Sequence, residues 1–169
     1  YRFSNLKFNK NNIIQRILKA ITFSLAVFFY GLFKINNYNK VLVITNPPIL
    51  IPIIFLLKKI KKIKYYVLIH DLFPDNAVTG NLLNNNILIN IINKIFNLSY
   101  NNAEKIIVVG NDMKKILKSR TKSKVVKITN WADINKVKPD FFDKTTACEM
   151  YGDNVENKII IQFAGNHGR

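Results

Sequence analysis

The stretch YYVLIHDLFPD, Tyr65 to Asp75, decides the fold class. Its first half, Tyr65–Ile69, is a short apolar run of aromatic and β-branched residues, the composition of a buried strand. The run stops at two polar groups, His70 and Asp71, and Pro74-Asp75 then reads as a turn and helix start. The same order recurs along the chain. Val41–Thr45, Lys105–Val109, Val125–Thr129 and Ile159–Phe163 are further apolar runs with weak alternation. Near-continuous apolar strands predict a parallel sheet covered on both faces. Helical stretches at Pro47–Lys62, Ile87–Tyr100 and Asp112–Ser119 separate several of them. Strand and helix in alternation predict a doubly wound α/β domain with right-handed crossovers.

Polar or turn-forming residues follow every strand. They are Asn46-Pro47-Pro48, His70–Asp75, Gly110-Asn111-Asp112, Asn130–Asp133 and Ala164–Arg169. Ligands of parallel α/β sheets bind outside the carboxyl ends of the strands. The first four clusters are therefore expected along one edge, with the fifth facing them from a following domain. The segment Lys136–Asn157 contains Pro139, several acids and little periodicity, and reads as a linker holding one short helix. The expected organisation is a first domain over 1–135, a linker over 136–157 and the start of a second domain over 158–169. The chain opens at Tyr1 without methionine and stops at Arg169 after a glycine-rich turn, so both ends read as cuts through a longer protein.

The chain has 169 residues, 49% hydrophobic and 21% charged, enough apolar material for a core. Its net charge of +16 suits anionic lipid, phosphorylated substrates or nucleic acid. No zinc-finger spacing, ribonucleoprotein motif or helix-turn-helix accompanies the charge, which argues against nucleic acid. Lys, Asn and Ile are abundant together, a bias that an AT-rich genome produces without any function. Cys148 is the only cysteine, so no intrachain disulfide is possible, as in a reducing compartment. The most apolar stretch near the start is Ile13–Phe33; its charge-free part, Ala20–Phe33, is about 14 residues, short of the ~20 a membrane span needs, and the stretch predicts a buried or interfacial helix. Ile49–Tyr65 is apolar and then basic. It fits either a helix facing anionic head groups with Lys58, Lys59, Lys61, Lys62 and Lys64, or a core helix with a solvated basic end.

Five segments carry a family resemblance: TNPP at Thr45–Pro48, HDLFPD at His70–Asp75, SYNNAEKIIVVG at Ser99–Gly110, ITNWAD at Ile128–Asp133 and FAGNHGR at Phe163–Arg169. In order and spacing they resemble family 4 glycosyltransferases of the GT-B fold, of the bacterial type that builds O-antigen, capsule or exopolysaccharide. The resemblance covers the chain from about Val41 onward. It implies a Rossmann-like acceptor-side domain and the first strand of a second, donor-binding one. It also implies retaining, metal-independent transfer from a nucleotide-diphosphate sugar to a lipid-linked or polysaccharide acceptor. The donor is a substrate, and no cofactor is implied. The family's glutamate-pair motif and its first strand with a glycine-rich loop are not found, so the fragment alone is not expected to be competent. The alternative is a non-catalytic remnant or binding module that keeps the fold. The expected place of work is cytoplasmic, peripheral at the inner face of the plasma membrane, with an anionic membrane surface as partner.

On this resemblance His70 and Asp71 are the catalytic candidates. An imidazole after a buried strand can hydrogen-bond a sugar hydroxyl or steady developing charge. Asp71 can accept from an acceptor hydroxyl or act as a base. Both residue types also serve simple capping and turn roles at such positions. Asn46, Gly110, Asn111 and Asn130 are candidate substrate-binding residues, and Gly110-Asn111 could equally be a plain turn. Asp133 joins Asn130 in a turn like the family's at this point. Gly165, Asn166 and Gly168 form a turn whose backbone N–H groups could approach a diphosphate, with Arg169 as a bidentate phosphate partner.

Overall fold

The computed structural model describes residues 12–35, 40–133, 135–136 and 144–151. The chain divides into two compact units, Tyr1–Asn130 and Trp131–Arg169. In the first, β1 (Lys40–Ile44), β2 (Lys64–Ile69), β3 (Lys105–Val108) and β4 (Lys124–Lys127) pair in parallel in the order β1-β2-β3-β4. Helix α1 (Ile13–Lys34) precedes β1, and α2 (Leu50–Lys61) joins β1 to β2. Helices α3 (Asp75–Thr79) and α4 (Asn86–Asn101) join β2 to β3, and α5 (Asn111–Arg120) joins β3 to β4. This is the expected Rossmann-like α/β arrangement, a parallel sheet with flanking helices.

The expected cover on both faces does not form among the described residues. Val43, Val67, Ile106 and Val125 lie in register and are buried with Ile51, Leu57, Phe96, Met113 and Leu117 of the helices. The alternate positions face outward. Leu42 and Ile44 are 56% and 44% exposed, and Tyr66, Leu68, Ile107 and Val126 are half-buried. The cause is topological. Strands paired in chain order make every crossover advance the same way, and right-handed crossovers in one direction put all their helices on one face. The open face is itself apolar, so the sequence shows little alternation. Its amino end is basic: Lys40, Lys64, Lys105 and Lys124 each start a strand and are exposed, with Lys40 opposite Lys64 and Lys105 opposite Lys124.

Two asparagine patches supply helix caps. Asn12 Oδ1 accepts from the Ile14 and Gln15 N–H groups, and Asn85 Oδ1 from those of Ile87 and Leu88. Each such cap contributes about 1 kcal/mol. Helix α1 runs 22 residues, well past its charge-free stretch, and Ile14–Lys34 is long and apolar enough to cross a membrane by length and composition. Its inner side packs through Phe28, Leu32 and Gly31, where a Cβ on the glycine would lie 2.6 Å from Leu57 Cδ1.

Helix α2 packs one side into the core and ends in lysines. Ile51, Ile54, Phe55 and Leu57 are buried. Lys58 is tied down: its Nζ donates to the Asn102 carbonyl at 2.6 Å, lies 3.7 Å from Glu104 and sits over the Tyr65 ring. Lys59, Lys61 and Lys62 cluster at the helix C-terminus, where cations meet free carbonyls, and Lys64 starts β2. Pro52 falls in the first turn, where its missing N–H is harmless. The second unit contributes α6 (Lys144–Tyr151), with Cys148 half-buried, inside the segment expected to be a linker. The expected strand Ile159–Phe163 lies outside the described residues.

The one-sided core predicts unequal costs. Leu57→Ala should lose about 2–5 kcal/mol in urea unfolding, from transfer and cavity terms together. Ile44→Ser, on the open face, should lose less than about 1 kcal/mol. Equal losses would mean that the second face is covered.

Candidate functional site

The carboxyl ends of the four strands bring most of the singled-out residues to one edge. Thr45 directly follows β1 in a buried position, 3% exposed. Its N–H donates to the Leu68 carbonyl at 3.2 Å, and its Oγ1 accepts from the His70 N–H at 3.1 Å. One buried hydroxyl thus stitches the loop after β1 to the loop after β2. Asn46, His70 and Asp71 follow this stitch directly and all three are exposed. Pro47 and Pro48 do not enter the helix, as they were expected to; their carbonyls accept from Leu50 and Ile51 as α2 begins. The Asn46–Pro47 and Phe73–Pro74 peptide bonds are both cis.

The β2 loop alternates exposed chemistry with buried anchors. After His70 and Asp71 the chain turns inward. Pro74 is buried, and the Phe73 ring packs 5.1 Å from Phe96, which meets Tyr100 edge-on at 6.0 Å. Asp75 then starts α3 and receives a bidentate clamp from the last residue of α5. Arg120 Nη1 donates to Oδ2 at 2.6 Å and Nη2 to Oδ1 at 2.5 Å. The Arg120 hydrogen bonds hold the Asp75 carboxyl below the usual range and raise the guanidinium in turn. Burial pushes the Tyr100 phenol up, so it stays protonated beside this pair. Tyr65, also pushed up by burial, donates its hydroxyl to the Ser99 carbonyl under the sheet.

At the third strand end, Gly110 caps α5 and Asn111 is its exposed first residue. A Cβ at Gly110 would lie 2.3 Å from Asp112 Oδ1, so glycine lets this carboxylate fold over the helix start. An acid of the protein therefore already occupies the N-terminal field that would attract a phosphate. At the fourth strand end, the Ile128 N–H bonds the Val108 carbonyl at 2.9 Å and carries Asn130, exposed, to the same edge. Gly165, Asn166, Gly168 and Arg169 lie outside the described residues, and Asp133 belongs to the second unit. Among the described residues no three His, Cys, Asp or Glu side chains gather as a metal site. A cavity of about 220 Å³ between α3 and α4, lined by Pro74, Asp75, Val78 and Ile89, lies beneath the loop. A groove of about 310 Å³ separates α1 from β1. Sequence reading passed over Thr45 and Arg120 as functional positions. A polar residue ending an apolar strand was a usable signal for the first; nothing local marks the second.

The chain is 30% identical over 168 residues to a protein of Pseudomonas aeruginosa described as probable glycosyltransferase WbjE. The similarity spans 95% of this chain and 40% of that relative, so the chain spans about two-fifths of the length of the curated relative it matches. No protein-family model and no solved structure matches.

The Asp75–Arg120 clamp should be visible in the acid limb of stability. Because the folded carboxyl titrates below its unfolded value, the stabilisation is complete above the ordinary carboxylate range, about pH 4, and is lost as pH falls through the depressed value. Both side chains are partly exposed, so Asp75→Asn should cost only about 1 kcal/mol at neutral pH and flatten the acid limb. An unchanged pH profile of unfolding midpoints would remove the clamp from the account.

Proposed function

We propose that this chain forms the acceptor-side part of a family 4 glycosyltransferase of the GT-B fold. The enzyme would move a sugar from a nucleotide-diphosphate donor to a lipid-linked or polysaccharide acceptor, with retention and without a metal, at the cytoplasmic face of the membrane. The observation that carries the reading is the 30% identity across 168 residues to a probable glycosyltransferase. The carboxyl edge supports it chemically. Residues 1–130 hold four acids, Asp71, Asp75, Glu104 and Asp112. Asp75 is clamped by Arg120 and Glu104 lies against Lys58, which leaves Asp71 and Asp112 at the edge. Carboxylates suit the hydroxyls of a sugar acceptor and repel a diphosphate.

In this reading Asp71 accepts from the acceptor hydroxyl and His70 hydrogen-bonds the reacting sugar, steadying the charge that develops there. Thr45 sets the His70 backbone, and the buried Phe73-Pro74 segment holds the loop in place. Asn46, Gly110, Asn111 and Asn130 shape the acceptor's seat. The donor diphosphate belongs to Gly165, Asn166, Gly168 and Arg169, through backbone N–H groups and a guanidinium.

The test is transfer by the full-length protein that contains this chain. Supplied with nucleotide-diphosphate sugars, lipid-linked acceptors and EDTA, it should release nucleoside diphosphate and extend the acceptor. His70→Ala and Asp71→Asn should each lower kcat/KM about 100-fold, with the unfolding midpoint unchanged because both side chains are exposed. Wild-type rates in both variants would sink the assigned roles. Binding of acceptor without turnover of any donor would make the chain a non-catalytic binding module.

A further inference from the structure

The loop that carries His70 and Asp71 runs into a helix of only five residues, α3, and Ala77 is the one residue that this helix buries. So small an apolar contact holds a helix weakly. Its entry is fixed by Pro74, which is buried, and by Phe73, whose ring lies against Phe96. Its first residue is fixed by Arg120, which grips Asp75 through two hydrogen bonds of 2.6 and 2.5 Å. A fork of two parallel bonds sets direction as well as distance. We propose that Arg120 is a positioning residue of the transfer reaction, holding Asp71 in place beside His70 through Asp75 and α3.

The link from Asp75 back to Asp71 is stiff. The Asn76 N–H donates to the Leu72 carbonyl at 2.9 Å, and those of Ala77 and Val78 donate to the Pro74 carbonyl at 2.9 and 3.0 Å. Residues 72–78 therefore move as one piece, and Leu72 adjoins Asp71 directly. The base of Arg120 is anchored in turn. Leu117, one turn earlier in α5, is fully buried. Just after Arg120, Asn101 Oδ1 accepts from the Thr121 hydroxyl at 2.9 Å and the Lys122 N–H at 2.7 Å. Ser123 Oγ donates to the Tyr100 and Ala103 carbonyls at 2.8 and 2.9 Å. Arg120 thus ties α3 to the ends of α4 and α5. His70 is held separately by Thr45, so release of the clamp leaves His70 tied and Asp71 free to drift. A partly exposed pair adds little to global stability, so its loss should show in rate far more than in unfolding. Arg120 has this role only if His70 and Asp71 act as proposed above.

Turnover and amide hydrogen exchange of the full-length protein test it together. Arg120→Gln should lower kcat about tenfold and leave the KM for the nucleotide-diphosphate sugar unchanged. Arg120→Lys, which keeps the charge and loses the fork, should recover only part of the rate. Arg120→Gln combined with Asp75→Asn should be no slower than Arg120→Gln alone, because both cut the same link. Without any donor, exchange of the Asn76, Ala77 and Val78 amides should quicken about tenfold in Arg120→Gln, the signature of local release. Lys58→Met is the matched control. Its ion pair with Glu104 is about as exposed as the Arg120 pair, and it lies away from the loop. That variant should leave both kcat and the exchange of these three amides unchanged. A wild-type kcat in Arg120→Gln, unchanged exchange, or an equal loss of rate in Lys58→Met overturns the proposal. If the wild-type protein turns over no donor, the transferase reading itself fails, and exchange alone decides whether Arg120 holds the loop.

Discussion

Every crossover in this sheet advances in the same direction, and the rest of the first unit follows from that constraint. Right-handed connections that all move one way stack their helices on one face. The face beneath them becomes a single core, built from Val43, Val67, Ile106 and Val125 in register. The strand ends line up in chain order, so the loops after β1, β2, β3 and β4 stand side by side. A site assembled from Asn46, His70, Gly110 and Asn130 is possible because of this ordering, even though these residues are far apart in the chain.

The edge separates chemistry from anchoring. His70 and Asp71 are exposed, and the residues just after them sink into the helix layer. Phe73 packs on Phe96, and Asp75 is clamped by Arg120. The loop thus presents polar groups at fixed positions while the apolar core and one partly exposed ion pair hold it. Positioning of this kind underlies the rate gain of reactions between bound partners. The opposite end of the sheet is basic, with a lysine starting each strand. Lysines thus crowd the amino edge, beside Glu104, while the carboxyl edge carries Asp71 and Asp112 together with Lys127.

Much of this was legible in the chain. The strands showed as short apolar runs because both faces of each strand are apolar, and for the same reason the openness of one face was hidden. Val43 and Ile44 look equivalent as letters, yet one is buried and the other is 44% exposed. A cap and a turn use the same residue type, and only their hydrogen bonds mark Asn12 and Asn85 as caps.

By itself the sequence determined the α/β class, the alternation of strand and helix, and the residues that follow each strand. These depend on local pattern: apolar runs, turn formers and helix-compatible spacing. The tertiary structure alone decided which sheet face is covered, that Thr45 binds the backbone of His70, and that Arg120 reaches Asp75. It also decided that Ile14, Phe29 and Phe33 of α1 face outward while Ile51 and Leu57 of α2 are buried. Each of these joins residues distant in the chain, and no local propensity encodes them. They arise when strand order and crossover direction bring separate segments together and leave each side chain either inside the core or outside it.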